Sequence, residues 1–559
     1  MQSAETFATI TMKKILFFAV IACFLGACGG TNGRASGDLT PSFFASTINF
    51  LSGTPAAEVK TYAASRFLDH ASFGPHPDSI AELKALGIPG WIDAQFALPA
   101  SQIDGTFSED WDASKTPDNL KASYYEFFTR EFINLMLSGK DQLRLRTTLA
   151  LSQFIVVTEG KVQSFATIQY FNLLQNNSLG NFSDLIRAIV KSHSMASFLD
   201  NISNVKEGAC ANCSVNENFS RELMQLFTLG LTQLNQDGSA KRDVDGKLLE
   251  TYTQDDVQAM ARAMTGWTSK PPFPPGLRNS FYRYPLAGVF KDMHDTGEKQ
   301  LLGKIIPAGG TAEQDLESVV AILMAHPNLA PFISLRMIQH LVTSNPSPAY
   351  ISRMSAVFNN NGSDVRGDMK ALVRAILLDP EARRADDPAL QDNSVGKIRE
   401  PILFFSAVLR GLQCSSAMRD VFGITVAPST QSPFNPPTVF GFYPPNYTAP
   451  GSQIMAPELK LITSQELSYR YGNFLGGDGS YQFMTSGGCK LDEFAAAYDS
   501  SKRDFLNLVD QRYFRGSMPP TLRKAGTVLL DQASDSSSQG RVMDVLKLLL
   551  ISPAFGVIL

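Results

Sequence analysis

Apolar residues along this chain return again and again at the three- and four-residue spacing of an α-helix, and seldom at the two-residue spacing of a strand. In residues 120–136, Leu120, Tyr124, Phe128, Phe132, Leu135 and Met136 fall on one helical face. The same stripe recurs over residues 63–73, 182–190, 219–229 and 257–264, then over 319–324, 332–342, 369–378, 402–412 and 542–551. Pro327, Pro331, Pro346 and Pro348 punctuate the middle block as helix starts and linkers. At ordinary helix lengths, about fifteen to twenty helices are expected. The fold class this predicts is all-α: one large multi-helix domain with a small β-hairpin and long loop insertions.

Three segments interrupt the helical pattern. Residues 234–253 hold two turn sequences, Asn235-Gln236-Asp237-Gly238 and Asp243-Val244-Asp245-Gly246, and read as a β-hairpin between helices. Residues 281–303, broken by Tyr, Pro and Gly, read as an irregular or short-stranded excursion. Residues 433–451 form a loop dense in Pro, Asn and aromatics, and such loops on a helical frame are where function usually sits. Thr253-Gln254-Asp255-Asp256 is a capping box that starts the helix carrying Val257, Met260, Ala261 and Met264, with Trp267 expected to close its end by packing.

The N-terminus carries a different pattern. Lys13 and Lys14 precede an apolar run over residues 15–25, too short to span a membrane permanently, followed by Leu25-Gly26-Ala27-Cys28. This resembles a bacterial lipoprotein signal, with Met12 as a natural start. The resemblance implies a signal over residues 1–27, acylation of Cys28, and export; Gly29 after the cysteine implies the outer membrane. Residues 28–42, rich in Gly, Ser, Thr and Asn, read as a flexible tether to a body spanning 43–559. Several acyl chains, at about 0.8 kcal/mol per buried methylene, anchor such a body firmly.

Charge excludes one class of partner. The chain has 49 basic and 53 acidic side chains, and loss of residues 1–27 leaves 47 against 52, a net of −5. No strongly basic face is implied, so nucleic acid is not expected as a partner. Cys210, Cys213, Cys414 and Cys489 make an even set, which in an exported chain favours the disulfides Cys210–Cys213 and Cys414–Cys489. Half a zinc site or a redox pair are the alternatives for Cys210-Ala-Asn-Cys213.

Few residues offer chemistry. Glu217, Asn218, Arg221 and Glu222 open a helix; Glu217 with Asn218 suits a hard cation, and Arg221 suits bidentate clamping of an anion. Short-range capping explains the same residues, with Asn218 as N-cap and acids in the first turn. His294-Asp295 is the best chemical candidate, a general base or ligand for a divalent metal, with Lys299 nearby for an anion. Neighbours on an extended segment point to opposite faces, so these two need not cooperate. Asn235, Asp237, Asp243 and Asp245 crowd oxygen ligands together, but their spacing departs from an EF-hand and turn formation accounts for them. His326 and His340 lie near helix ends as capping or packing groups, and His70, His76 and His193 have no evident partner. No phosphate loop, nucleophile elbow or His-Glu-x-x-His motif occurs.

Longer stretches carry a family resemblance. Residues 216–230, Asn216-Glu217-Asn218-Phe219-Ser220-Arg221-Glu222 and onward to Gly230, resemble the signature of a bacterial exported family known as domain of unknown function 1800. So do Tyr252-Thr253-Gln254-Asp255-Asp256-Val257, Ala261 to Trp267, Arg66-Phe67-Leu68, Phe73-Gly74-Pro75, His294-Asp295 with Lys299 and Gly303, and His326-Pro327-Asn328. Pro436-Pro437-Thr438-Val439-Phe440-Gly441 and Ser552-Pro553-Ala554-Phe555 extend the likeness over about 60–556. The resemblance implies a partner from a second exported family, domain of unknown function 1501, related to sulfatase-like enzymes; it supplies no reaction. Many members carry a Trp-x-x-His-Phe stretch where this chain has Ala150-Leu151-Ser152-Gln153-Phe154.

The expectation for function is therefore a membrane-anchored envelope lipoprotein that binds or assembles with another exported protein or a polysaccharide. The alternative is a metal-assisted hydrolase using His294 and Asp295, with Glu217 and Arg221 arranging substrate.

Overall fold

Each periodic stripe is a helix. The computed structural model describes residues 58–104, 119–162, 164–211, 213–268, 287–288, 292–391, 396–415, 430–474, 488–532 and 537–559. The expected signal, Cys28, the tether and the body's expected first residues from 43 lie outside these. In chain order the helices are Thr61–Ala71, Pro77–Ala97, Asn119–Ser138, Gln142–Ser152, Ser164–Asn177, Phe182–Val190 and His193–Phe198. Next come Asn218–Glu222, continued by a π-helix Leu223–Thr228, and Gln254–Ala263. A middle group runs Ala312–Ala325, Leu329–Leu341, Pro348–Asn359, Met369–Leu378, Pro380–Arg383 and Pro401–Gly411. The last are Ser464–Phe474, Asp492–Ser500, Lys502–Val509, Pro520–Gln532 and Ser538–Leu550. No single helix among the described residues is long and apolar enough to cross a membrane.

Local chemistry sets the helix starts. The predicted capping box is present: Thr253 Oγ1 accepts from the Asp256 amide at 3.3 Å, and Asp256 Oδ2 accepts from the Thr253 amide at 2.8 Å. Thr311 and Gln314 form a second one at Ala312–Ala325. Pro348 opens its helix at the first position, where a missing amide costs nothing. His326 is a cap, its Nδ1 accepting from the Asn328 amide at 3.1 Å. Past the end of that helix Trp267 is buried in the core, in a two-residue strand paired with Gly288 and under the ammonium of Lys191.

One continuous core runs through residues 58–559, which form a single compact unit. The 433–451 loop contributes to it directly: Phe434 sits among Phe128, Phe132 and Phe171, ring centroids 5.4 to 5.7 Å away. Gly74 (φ +122°) lies so close to the helix Pro401–Gly411 that a Cβ there would come within 2.5 Å of Ala407 Cα. The C-terminal segment returns to the middle of the chain, where Lys397–Ile398 pairs antiparallel with Val557–Ile558.

The expected hairpin over 234–253 is a different object. The chain reverses twice, and three limbs close a ring of backbone bonds. Gln233 N donates to Leu249 O (2.8 Å), Leu249 N to Lys241 O (3.1 Å) and Lys241 N to Gln233 O (2.7 Å). Each limb is shared between two partners, so isolated bridges form in place of a two-stranded ladder. The regular hairpin lies instead at Lys299–Leu301 with Lys304–Ile306, its first strand within the 281–303 segment expected to be short-stranded and its second just beyond it.

Both cysteine pairs are disulfides, Cys210–Cys213 and Cys414–Cys489. The second closes a loop of 75 residues and ties the 488–532 helices to the buried helix Pro401–Gly411. Replacing Cys414 and Cys489 together by serine is expected to cost about 2–4 kcal/mol, chiefly by freeing the unfolded chain. Urea denaturation with and without reductant measures this: reductant should lower the wild-type midpoint markedly and leave the double variant almost unmoved.

Candidate functional site

Residues 216–230 build the wall of a groove. Asn216 Oδ1, not Asn218, makes the turn that starts Asn218–Glu222, accepting from the Asn218 amide at 2.9 Å. Asn218 is therefore the first helical residue and reaches Asp200 through its amide at 3.3 Å. From Leu223 the helix widens into a π turn, with Thr228 Oγ1 donating to Leu223 O at 2.6 Å, and Gly230 (φ +77°) ends it. Such widened turns are frequent at functional sites.

Between this wall, the three-limbed knob and the start of the helix Gln254–Ala263 lies a groove of about 580 Å³, lined by residues including Arg221, Leu231, Lys247, Leu248, Tyr252 and Gln254. Glu217, Arg221 and Gln254 form a polar rim: Arg221 Nη2 and Gln254 Nε2 donate to Glu217 Oε2 at 2.7 and 2.8 Å. Both charged side chains are part-exposed, so the pair contributes little to stability and remains open to exchange with a ligand. Glu222 turns inward; burial raises its carboxyl, and Oε2 has no hydrogen-bond partner. Burial and the Glu222 carboxyl push the Tyr252 hydroxyl up to about 12. Leu231 (58%) and Leu248 (43%) are exposed at the groove, and Val244 stands fully exposed at the knob's second turn.

Two of the knob's acids, Asp237 and Asp243, are occupied by the backbone. Asp237 Oδ1 accepts from the Ser239 amide at 3.0 Å, and Asp243 Oδ1 accepts from the Asp245 and Lys247 amides at 3.0 and 2.9 Å. These are turn contacts of the kind the Asp-Gly sequences require. Among the described residues no group of three or more His, Cys, Asp or Glu side chains is arranged to hold a metal ion.

His294, Asp295 and Lys299 do come together, but away from the groove and mostly buried. His294 Nδ1 meets the Thr265 carbonyl at 2.9 Å, and Nε2 faces Asp315 at 3.3 Å. Lys299 Nζ reaches Asp315 at 2.8 Å and donates to the carbonyls of Asp295 and Gly297 at 2.5 and 2.8 Å. Asp295 points the other way, taking two bonds from Arg262 at 2.7 and 3.1 Å, which hold its carboxyl below the usual range against the effect of burial. Gly266 (φ +87°) lets the segments approach, since a Cβ there would lie 2.9 Å from His294 Cβ. The cluster ties the hairpin 299–306 to the ends of two helices. The joint site expected from His294, Asp295, Glu217 and Arg221 is corrected accordingly: Gln254 at the rim and Arg262 beside Asp295 stand about 12 Å apart along one helix.

Two buried ionic networks went unread in the sequence. Asp69 receives Arg399 Nη1 and Nη2, both at 2.8 Å, and Arg515 Nη1 at 3.0 Å. Arg399 also donates to Phe555 O at 3.0 Å, with its guanidinium 4.5 Å from that ring's centroid. In the second, Lys397 pairs with Glu400 at 2.9 Å and Glu458 at 3.2 Å, and Gln153 bridges Tyr443 to Glu400 at 2.9 and 2.8 Å. His340 stacks on Phe154 at its edge, and burial, with Lys397 adding to it, pushes its imidazole down to about 3.

The first network joins two stretches of the resemblance, Arg66 to Leu68 and Ser552 to Phe555, and a single family model matches residues 66–557. The chain belongs to the family described as Protein of unknown function (DUF1800). No curated protein and no solved structure matches it. Gln153 is thus a buried link between Tyr443 and Glu400.

Proposed function

We propose that this protein is a lipid-anchored component of the bacterial cell envelope, held through Cys28 at the outer membrane, that docks another exported protein on the groove and knob. The observation that carries this reading is the grouping of exposed Leu231 and Leu248 beside Arg221, Lys247 and Tyr252. An apolar patch rimmed by polar groups and backed by a cleft is the form of a protein-binding surface. The two disulfides suit an oxidising, exported compartment. The partner suggested by the family resemblance is an exported, sulfatase-like protein of the domain of unknown function 1501 family.

Two measurements test it. Labelled palmitate should enter the wild type and not Cys28→Ala; an unlabelled, freely diffusing wild type would remove the anchor from the proposal. Surface plasmon resonance with the purified partner should show binding that Leu231→Asp with Leu248→Asp weakens at least roughly tenfold, about 1.4 kcal/mol. Stability should change by no more than about 0.5 kcal/mol, because both positions are exposed. Affinity unchanged by the double substitution would place docking elsewhere, and binding of a sugar polymer in place of the protein would replace this reading.

A further inference from the structure

Around the first helix the interior holds more positive charge than its side chains answer. Asp69 carries two guanidiniums, Arg399 and Arg515, and Asp386 carries two more, Arg66 at 3.0 Å and Arg383 at 3.4 Å. Arg146, fully buried, lies within electrostatic reach of Asp69 and His70 and donates through Nη2 to the His340 carbonyl at 2.6 Å. Five guanidiniums thus meet two carboxylates, with Glu400 a third that acts on Arg146 while bonded to other groups. Neighbouring carboxylates are committed elsewhere: Glu400 to Lys397, Gln153 and Gln431, and Asp510 to Arg523 and the Met518 amide.

Unused donors belong to the same cluster. Arg66 Nε, His70 Nε2, Arg146 Nε and Nη1, Arg383 Nε and Arg515 Nε are all buried without a hydrogen-bond partner. Arg66 Nη1 and Arg383 Nη2 share the Ala382 carbonyl, at 2.5 and 3.0 Å. Arg383 Nη2 also meets His70 Nδ1 at 3.2 Å. A guanidinium only donates, so Nδ1 accepts and the ring proton sits on Nε2, facing no acceptor. Burial and the surrounding arginines hold His70 well below the ordinary imidazole range, and burial with Arg383 pushes Arg66 down to about 10, still charged at neutral pH. Native interiors satisfy such groups with water or an ion, and water answers the donors without answering the charge.

We propose that Arg66, His70, Arg146, Arg383 and Arg515 form a binding site for a small oxyanion of the phosphate, sulfate or carboxylate class. Guanidiniums match the geometry of such oxygens better than any other side chain. Arg383 and Asp386 form the least buried edge of the cluster, their side chains keeping 15% and 21% exposure. This site is separate from the groove and is tested independently of it.

The purified full chain is dialysed to equilibrium against radiolabelled inorganic phosphate, sulfate or acetate at fixed ionic strength, and its unfolding is followed in the same solutions against chloride. One anion is expected to saturate at one per chain and to raise the unfolding midpoint, shifting the folding equilibrium about a hundredfold at a hundred times Kd. Arg383→Gln, at the rim, is expected to weaken uptake at least tenfold; should that variant not fold, wild-type stoichiometry decides. Absence of stoichiometric uptake of all three anions overturns the proposal, and so does uptake unchanged in a folded Arg383→Gln.

Discussion

Asp69→Ala is expected to destabilise the body by about 3–5 kcal/mol, because it strips the counter-charge from two guanidiniums sealed in the interior. Arg399 and Arg515 are each 1% exposed, so neither can turn to water when the carboxylate goes. The same arginines tie the first helix to the C-terminal segment: Arg399 and Arg515 donate to the carbonyls of Phe555 and Val557, beside the pairing of 397–398 with 557–558. A loss of that size is a large share of the 5–15 kcal/mol that domains typically possess. Arg187→Ala gives the contrast. Its pair with Glu317, at 2.8 Å, is exposed to solvent and should be worth less than about 1 kcal/mol. Urea unfolding of both variants provides the comparison; similar small losses would show that Asp69 is not the keystone described here.

Acid should destabilise the fold well before its carboxylates titrate. His70 and His340 are held neutral by burial and by neighbouring cations, the first well below its ordinary value and the second at about 3. In the unfolded chain both titrate near pH 6.5. The unfolded state therefore gains two protons that the folded state refuses, and stability falls as pH drops below about 6.5. His340 contributes about 1.4 kcal/mol per pH unit and removes roughly 2 kcal/mol between pH 6.5 and 4.5, with His70 adding in the same direction. Asp69 is depressed by Arg399 and Arg515 against the effect of burial, and Glu400, at about 2, by Lys397 and its neighbours. Their contributions are present above the unfolded carboxylate range and are lost below about pH 4.5, in the same direction. Glu458 and Glu222, raised by burial, act oppositely: their contribution is present at low pH and lost as pH rises through the folded value. His340→Phe keeps the stacking on Phe154 and should reduce the slope between pH 6 and 4.5 by about one proton's worth. Denaturation midpoints at several pH values read this directly, and a flat profile from pH 7 to 5 would contradict it.

Much of the frame was legible because its causes are local. The helix Met369–Leu378 ends where its stripe ends, and Thr253 with Asp256, three positions apart, caps the first turn of Gln254–Ala263 by itself. Asn218 shows the limit of that reading: cap and first residue are equally plausible from composition, and only the backbone placed Asn216 in the turn. The knob was misread as a hairpin for a related reason, since Asp-Gly marks each reversal without stating whether two limbs or three will pair. The groove was half legible. Glu217 and Arg221 were singled out, but Tyr252, Lys247 and Leu248 reach it only once the knob folds back over the helix start.

Sequence by itself determined the helical class, the principal helices, the capping signals and the family. Each depends on residues a few positions apart, or on patterns repeated over many of them. Tertiary structure alone decided which charges are buried and with whom. Asp69 meets Arg399 and Arg515 across 330 and 446 positions of chain, a distance over which no spacing rule operates. It also decided that His294 and Asp295 serve opposite sides of a buried knot while Arg221 opens on a groove, because side-chain direction follows from how helices and loops pack.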